Sequence, residues 1–140
     1  MRNVRVLSFH GELDCCYKRS IEEKLGQIGD GGTNTVTILD LINVLYLDTT
    51  FLTALTRARK HLLIERPESS ICIAARNNGL ASRLFKITNL DQTYRMFDDM
   101  IAARRYAHTM VDTTALPILD VDRNGLRRAV ALLDEPITPA

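Results

Sequence analysis

The amino-acid sequence predicts an α/β fold, a single domain built on a mostly parallel central β-sheet flanked by α-helices. Two observations carry this. Short runs rich in β-branched and aliphatic residues alternate along the chain with longer segments whose apolar residues recur every three or four positions. That alternation places a helix between successive strands, which favours a parallel sheet with helices packed against it. Length and composition agree: 140 residues, 46% hydrophobic and 25% charged, suffice for one core of an ordinary globular protein.

The elements follow in order. Val4, Val6, Leu7 and Phe9 form a first strand, which the pattern ends at His10-Gly11. Ile21, Leu25 and Ile28 fall at i, i+4, i+7 and predict a helix from about Tyr17 to Ile28, with Glu22, Glu23 and Lys24 on its wet side. "GDGGTN" (Gly29 to Asn34) is a turn. "TVTILDL" (Thr35 to Leu41) is rich in β-branched residues and reads as a central strand, and the strand-like run continues through "LINVLYL". After Asp48 the period changes. Phe51, Ala54, Leu55, Ala58 and Leu62 make the stripe of a helix that runs to about Ile64 and stops at Arg66-Pro67, because the residue before a proline is pushed out of the helical region.

"SICIAA" (Ser70 to Ala75) is the next strand; Leu80, Leu84 and Ile87 then mark a further helix. Tyr94 to Phe97 reads as a short strand. Asp98 and Asp99 are candidate N-caps for a helix through Met100, Ile101 and Ala103 to about Tyr106. The domain is thus expected over residues 1–107. Residues 108–140 read as a C-terminal extension, partly helical through Leu126, Val130 and Leu133 and partly disordered at "PITPA". If that helix forms, its apolar side needs a surface on the domain or on a second chain, so a homodimer is one arrangement that would supply it.

Several function classes find no support. The net charge is +1, from 18 basic and 17 acidic residues, so neither nucleic acid nor a membrane surface is an expected partner. No phosphate-binding glycine loop, no HExxH zinc motif and no GxSxG nucleophile turn is present, and no pair of carboxylates stands out as an acid–base couple. His10, His61 and His108 are far apart. The sequence therefore leads us to expect no enzyme, no metal and no cofactor. Cys15, Cys16 and Cys72 are an odd number without ligand spacing, which suits a reducing compartment and leaves a redox-sensing role resting on the adjacent pair alone. The N-terminal apolar run is too short for a signal peptide and no stretch approaches a membrane span, so a cytoplasmic protein is expected.

The junction between the "LINVLYL" strand and the following helix holds a polar trio, Asp48, Thr49 and Thr50. Asp48 is placed to cap the helix by accepting from the amide of Thr50 or Phe51. Strand-to-helix junctions at the end of a parallel sheet are exposed and are where α/β folds place their sites. Thr49, Thr53, Thr56 and Lys60 then form a small polar stripe on the side away from Phe51 and Leu55, flat enough for another protein to approach.

These residues carry a resemblance to a known family. Gly11-Glu12-Leu13-Asp14 follows the first strand; Leu39-Asp40-Leu41 lies in the second; Val44, Tyr46, Leu47, Asp48, Thr49 and Thr50 match V-x-F/Y-I/L/M-D-S/T-S/T; and "GLASRLFKITNLDQTYRMFDD" (Gly79 to Asp99) matches a third element. In this order, over about residues 4 to 107, they resemble the STAS domain family of bacterial anti-sigma factor antagonists. The resemblance implies a binding module whose partner is an anti-sigma factor with Ser/Thr kinase activity. In such antagonists the hydroxyl residue after the motif's Asp is phosphorylated, which maps to Thr49, with Thr50 as the lesser candidate. The unphosphorylated form holds the anti-sigma factor and frees the sigma factor; the phosphorylated form lets go. Asp14, Asp48, Thr50, Thr53, Thr56 and Lys60 would face the partner or its nucleotide.

Two departures from the motif stand out. Phe51 occupies the position of the glycine after the hydroxyl pair, where an aromatic would narrow kinase access, and Asn89 replaces a glycine in the third element. An exposed Phe51 would also suit a constitutive contact. That supports an alternative role as a scaffold subunit of a stress-sensing complex or a lipid-transport ATPase, using the same surface without phosphate. A redox- or ligand-sensing domain is the remaining alternative.

Overall fold

The computed structural model of the chain describes residues 3–31 and 34–113. Four strands, β1 (Asn3–Leu13), β2 (Thr35–Leu47), β3 (Ser70–Ala74) and β4 (Arg95–Phe97), form one sheet in the order β1-β2-β3-β4. Every neighbouring pair is parallel. Among the described residues, four α-helices accompany them: α1 (Lys18–Gly26), α2 (Thr49–Glu65), α3 (Leu80–Ile87) and α4 (Met100–Thr113).

Alternation along the strands sorts the helices into two layers. Leu7, Phe9, Leu39, Leu41 and Ile73 point to one face, where they pack with Ile21 and Leu25 of α1, Phe51, Leu55 and Leu62 of α2, and Phe85 of α3. Val36, Ile38, Cys72 and Ala74 point to the other, against Ala103 and Ala107 of α4. β2 is buried on both faces over Thr35–Leu39, which is why that stretch is continuously apolar or β-branched.

The helix signals in the sequence act locally and the structure follows them. α2 stops at Glu65, and Arg66 leaves helical geometry at φ −140°, ψ 66° while its amide still donates to the Leu62 carbonyl at 2.7 Å. Asp99, not Asp98, caps α4, its carboxylate accepting from the Ala102 amide at 2.8 Å.

Three expectations are corrected, and α3 turns a different face inward from the one its aliphatic residues mark. The first strand does not end at His10-Gly11: it runs on to Leu13, with Gly11 at φ +76°, a conformation open to glycine, and with β-bulges on either side of His10-Gly11 in its pairing to β2. The first helix ends at Gly26, and Ile28 is buried from a 3-10 turn over Gln27–Gly31 instead. The inner face of α3 is Ala81, Ser82 and Phe85; Leu84 is only partly buried and Ile87 is 77% exposed. The aromatic decides that rotation: Phe85 is fully buried and meets Tyr94 edge-to-face at 6.2 Å. Finally, α4 continues past Tyr106 to Thr113 without a break at His108. Leu126, Val130 and Leu133 lie outside the described residues.

The fourth correction bears on function. Phe51 is 0% exposed and packs edge-to-face on Phe9 with ring centroids 5.4 Å apart. It bridges α2 to β1 in the core and does not stand beside Thr49 on the surface. Phe51→Ala should therefore cost about 3–5 kcal/mol, the usual range for emptying such a site. Urea unfolding measures this, and a loss below about 0.5 kcal/mol would put the ring back at the surface.

Candidate functional site

The site forms where β1 and β2 end together. Leu13 pairs with Leu47 in register, and the Asp48 amide donates to the Leu13 carbonyl at 3.4 Å. Asp14 and Asp48, each next in its chain, thus leave adjacent strands side by side at one end of the sheet. Each then does the same thing. Asp14 is extended (φ −114°, ψ −175°) and its Oδ1 accepts from the Cys16 amide at 3.0 Å, opening a 3-10 turn over Cys15–Tyr17. Asp48 is extended (φ −130°, ψ −168°) and its Oδ1 accepts from the Thr50 amide at 2.9 Å, opening α2. A cap of this type is worth roughly 0.5–2 kcal/mol to its helix.

The expected site residues fall into three groups. Thr49 is exposed at the first position of α2, and its hydroxyl bonds to none of the described residues. Thr53 and Lys60 are exposed further along the same helix. Thr50 and Thr56 are half-buried, and the Thr56 hydroxyl donates to the Leu52 carbonyl of its own helix at 2.9 Å. The polar stripe therefore exists as a surface, with Thr56 its least available member. Phe51 does not obstruct it, because its ring points into the core.

The three cysteines fall into two environments. All are free; Cys15 and Cys16 are exposed and Cys72 is buried behind α4. The neighbouring Asp14 carboxylate, and then Cys15, push the Cys16 thiol above its ordinary value. Burial pushes Cys72 up to about 12, against a smaller opposing pull from Arg95. Both shifts disfavour the thiolate, the form that reacts with oxidants and metals. Among the described residues, no three His, Cys, Asp or Glu side chains are grouped to hold a metal ion. No described helix is long and apolar enough to cross a membrane.

Two features of this region escape a residue-by-residue reading. Leu45 and Tyr46, just before the junction, are exposed although they lie in a strand. Asn89 stands at φ +60°, ψ 17°, the left-handed region that asparagine enters more readily than most residues. It therefore replaces the motif's glycine without breaking the turn that follows α3.

Comparison with known proteins agrees with this geometry. The family profile described as STAS domain matches residues 2–103. An anti-sigma factor antagonist from Mycobacterium paratuberculosis superposes with a TM-score of 0.63 at 22% identity, covering 74% of this chain and 84% of that one. A sulfate transporter family protein from Wolinella succinogenes superposes with a TM-score of 0.60 at 18% identity, covering 79% of this chain and 88% of the other. At these identities the two structures establish a shared fold alone. No curated protein matches the chain.

The acid beside the thiols offers a direct test of the local electrostatics. Asp14→Asn keeps a good capping side chain and removes the charge, so the Cys16 thiol should fall toward its ordinary value. Alkylation by iodoacetamide at fixed neutral pH, followed by mass spectrometry, should then be faster at Cys16 than in the wild type. Cys72 should stay unreactive until the protein unfolds. Equal Cys16 rates in the two proteins would mean that the carboxylate does not act on the thiol.

Proposed function

The chain belongs to the STAS domain family, and we propose that within it the protein is an anti-sigma factor antagonist, a binding module switched by phosphorylation at Thr49. The observation that carries this reading is the junction itself. An exposed hydroxyl that bonds to none of the described residues sits on the first turn of a 17-residue helix, and its backbone is fixed by the Asp48 cap. The fold that presents this junction is shared with an anti-sigma factor antagonist and with a sulfate transporter family protein alike. The partner is an anti-sigma factor with Ser/Thr kinase activity, met in the cytoplasm through Asp14, Asp48, Thr49, Thr50, Thr53 and Lys60, with Thr56 at the margin. Bound in the unphosphorylated state, it leaves its sigma factor free to direct transcription.

The chemistry of the switch follows from charge. A phosphate adds about −1.5 to −2 charges at neutral pH and three strong acceptor oxygens. At a helix N-terminus the free amides and the dipole favour it by about 0.3–1 kcal/mol on an exposed surface. Asp48 beside it repels it, so the fold itself changes little in stability. The complex is what changes. A partner packed against a neutral threonine must desolvate a dianion or find a cation for it, and a hundredfold loss of affinity needs only about 2.8 kcal/mol.

The scaffold alternative loses the residue that favoured it, since Phe51 is buried. The redox alternative loses ground as well, because Cys16 and Cys72 are shifted away from the reactive thiolate.

Incubation with the cognate anti-sigma factor and labelled ATP, then peptide mapping, should place the label on Thr49. Thr49→Ala should hold the partner constitutively, and Thr49→Asp should release it at least partly. Label on Thr50 alone moves the acceptor by one residue; no label with a partner that does bind turns the protein into a scaffold. Thr53→Glu should weaken the same complex while changing stability by less than about 0.5 kcal/mol, and unchanged affinity would make the stripe a solvated face.

A further inference from the structure

The functional reading makes no use of Cys15 and Cys16. They occupy the 3-10 turn that Asp14 opens, and three hydrogen bonds fix that turn. The Asp14 carboxylate accepts from the Cys16 amide at 3.0 Å, the Asp14 carbonyl accepts from the Tyr17 amide at 3.0 Å, and the Lys18 amide donates to the Cys15 carbonyl. Both thiols are free and exposed. Cys15 is also a side-chain hydrogen-bond partner of the Cys16 thiol, so the two sulfurs lie on the same side of the turn. The pair thus presents two soft donors together at the surface, on a backbone that is already set.

What such a pair takes follows by exclusion. It does not suit a disulfide. The peptide bond between the two residues is trans, so their Cα atoms stand about 3.8 Å apart, whereas a disulfide spans roughly 4.4–6.8 Å. An ion between the sulfurs lengthens the bridge and relieves that misfit. Zinc does not suit the pair either, because it closes a tetrahedron of ligands and no three His, Cys, Asp or Glu side chains are grouped among the described residues. Calcium and magnesium take oxygen ligands. What remains is a soft cation satisfied by two sulfurs, and thiolates select Cu(I). We propose that Cys15 and Cys16 form a two-thiolate site for a single cuprous ion. On binding, each thiol gives its proton to solvent and each sulfur donates an electron pair to Cu(I). The metal keeps its oxidation state, and the complex of two thiolates and one monovalent cation carries one negative charge. Asp14 acts in two opposite directions here. In the free protein its carboxylate disfavours a bare thiolate on Cys16; once a cation lies between the sulfurs, the same negative charge attracts it. Because the turn is fixed beforehand, little backbone freedom is lost on binding. The site does not depend on Thr49 and stands or falls separately from the proposed function.

The full chain, reduced and kept from oxygen, is titrated against Cu(I) supplied as its bicinchoninate complex, whose colour reports the copper that the protein removes. Wild type and Cys72→Ser should each take one equivalent, and X-ray absorption of the loaded Cys72→Ser protein should show two sulfur neighbours around the metal. Cys15→Ser and Cys16→Ser should each bind about a hundredfold more weakly, the usual loss when one of two tethered contacts is removed. Both positions are exposed, so the melting curves should stay those of the wild type. Wild-type protein that takes no copper overturns the site. So does wild-type affinity in Cys15→Ser or Cys16→Ser, and so do nitrogen or oxygen neighbours in place of the two sulfurs. Sedimentation of the loaded protein covers one more case: a copper-dependent dimer with half an equivalent per chain would place the ion between copies and overturn the single-chain pair.

Discussion

The pairing of β1 with β2 is the constraint on which the rest of the molecule depends. It must be parallel, it must begin and end in register, and it must fit 13 residues against 11. Its closing pair, Leu13 with Leu47, brings Asp14 and Asp48 to one place from positions 34 residues apart in sequence. The buried side chains of the same two strands form the floor on which α1 and α2 lie, and Phe9 and Phe51 tie the start of α2 to β1. A slip of one residue would turn Leu7 and Phe9 out of the core and separate the two acids.

Both acids bind the backbone of their own turn before any partner arrives. One oxygen of each carboxylate is engaged two residues ahead, at 3.0 Å for Asp14 and 2.9 Å for Asp48. The conformation of the junction is therefore set locally, and the backbone that carries the exposed Thr49 hydroxyl is fixed by the Asp48 cap before a partner binds. A surface organised in this way loses little conformational freedom on binding, which leaves more of the contact energy for affinity.

What could be read from the sequence was what is decided within a few residues. The Asp48 cap, the stop at Arg66-Pro67 and the stripe from Phe51 to Leu62 all depend on neighbours along one helix, and all three are present. The family motif placed Thr49 correctly at an exposed helix start, yet the same motif suggested a surface role for Phe51. Helix geometry removes that suggestion: at about 100° per residue, positions 49 and 51 point to nearly opposite sides. The longer first strand was hidden because His10-Gly11 has the composition of a turn, and only pairing with β2 makes it strand. Leu45 was illegible for a related reason. Its exposure comes from a register shift between two strands far apart in sequence, and no local pattern records it.

The all-parallel sheet has a kinetic side. No two adjacent strands can be joined by a hairpin, so every ladder waits for a distant segment: Asn3 pairs with Thr35, Val36 with Ser70 and Cys72 with Arg95. The entropy of closing those loops has to be met before the pairings return anything. α2, long and internally capped, is the segment best able to gain structure early, and its Phe51–Leu62 stripe offers β1 and β2 a surface on which to assemble. The unassembled chain would meanwhile display the apolar run from Leu41 to Leu47. Its search for the native register is thus also an interval of vulnerability to self-association.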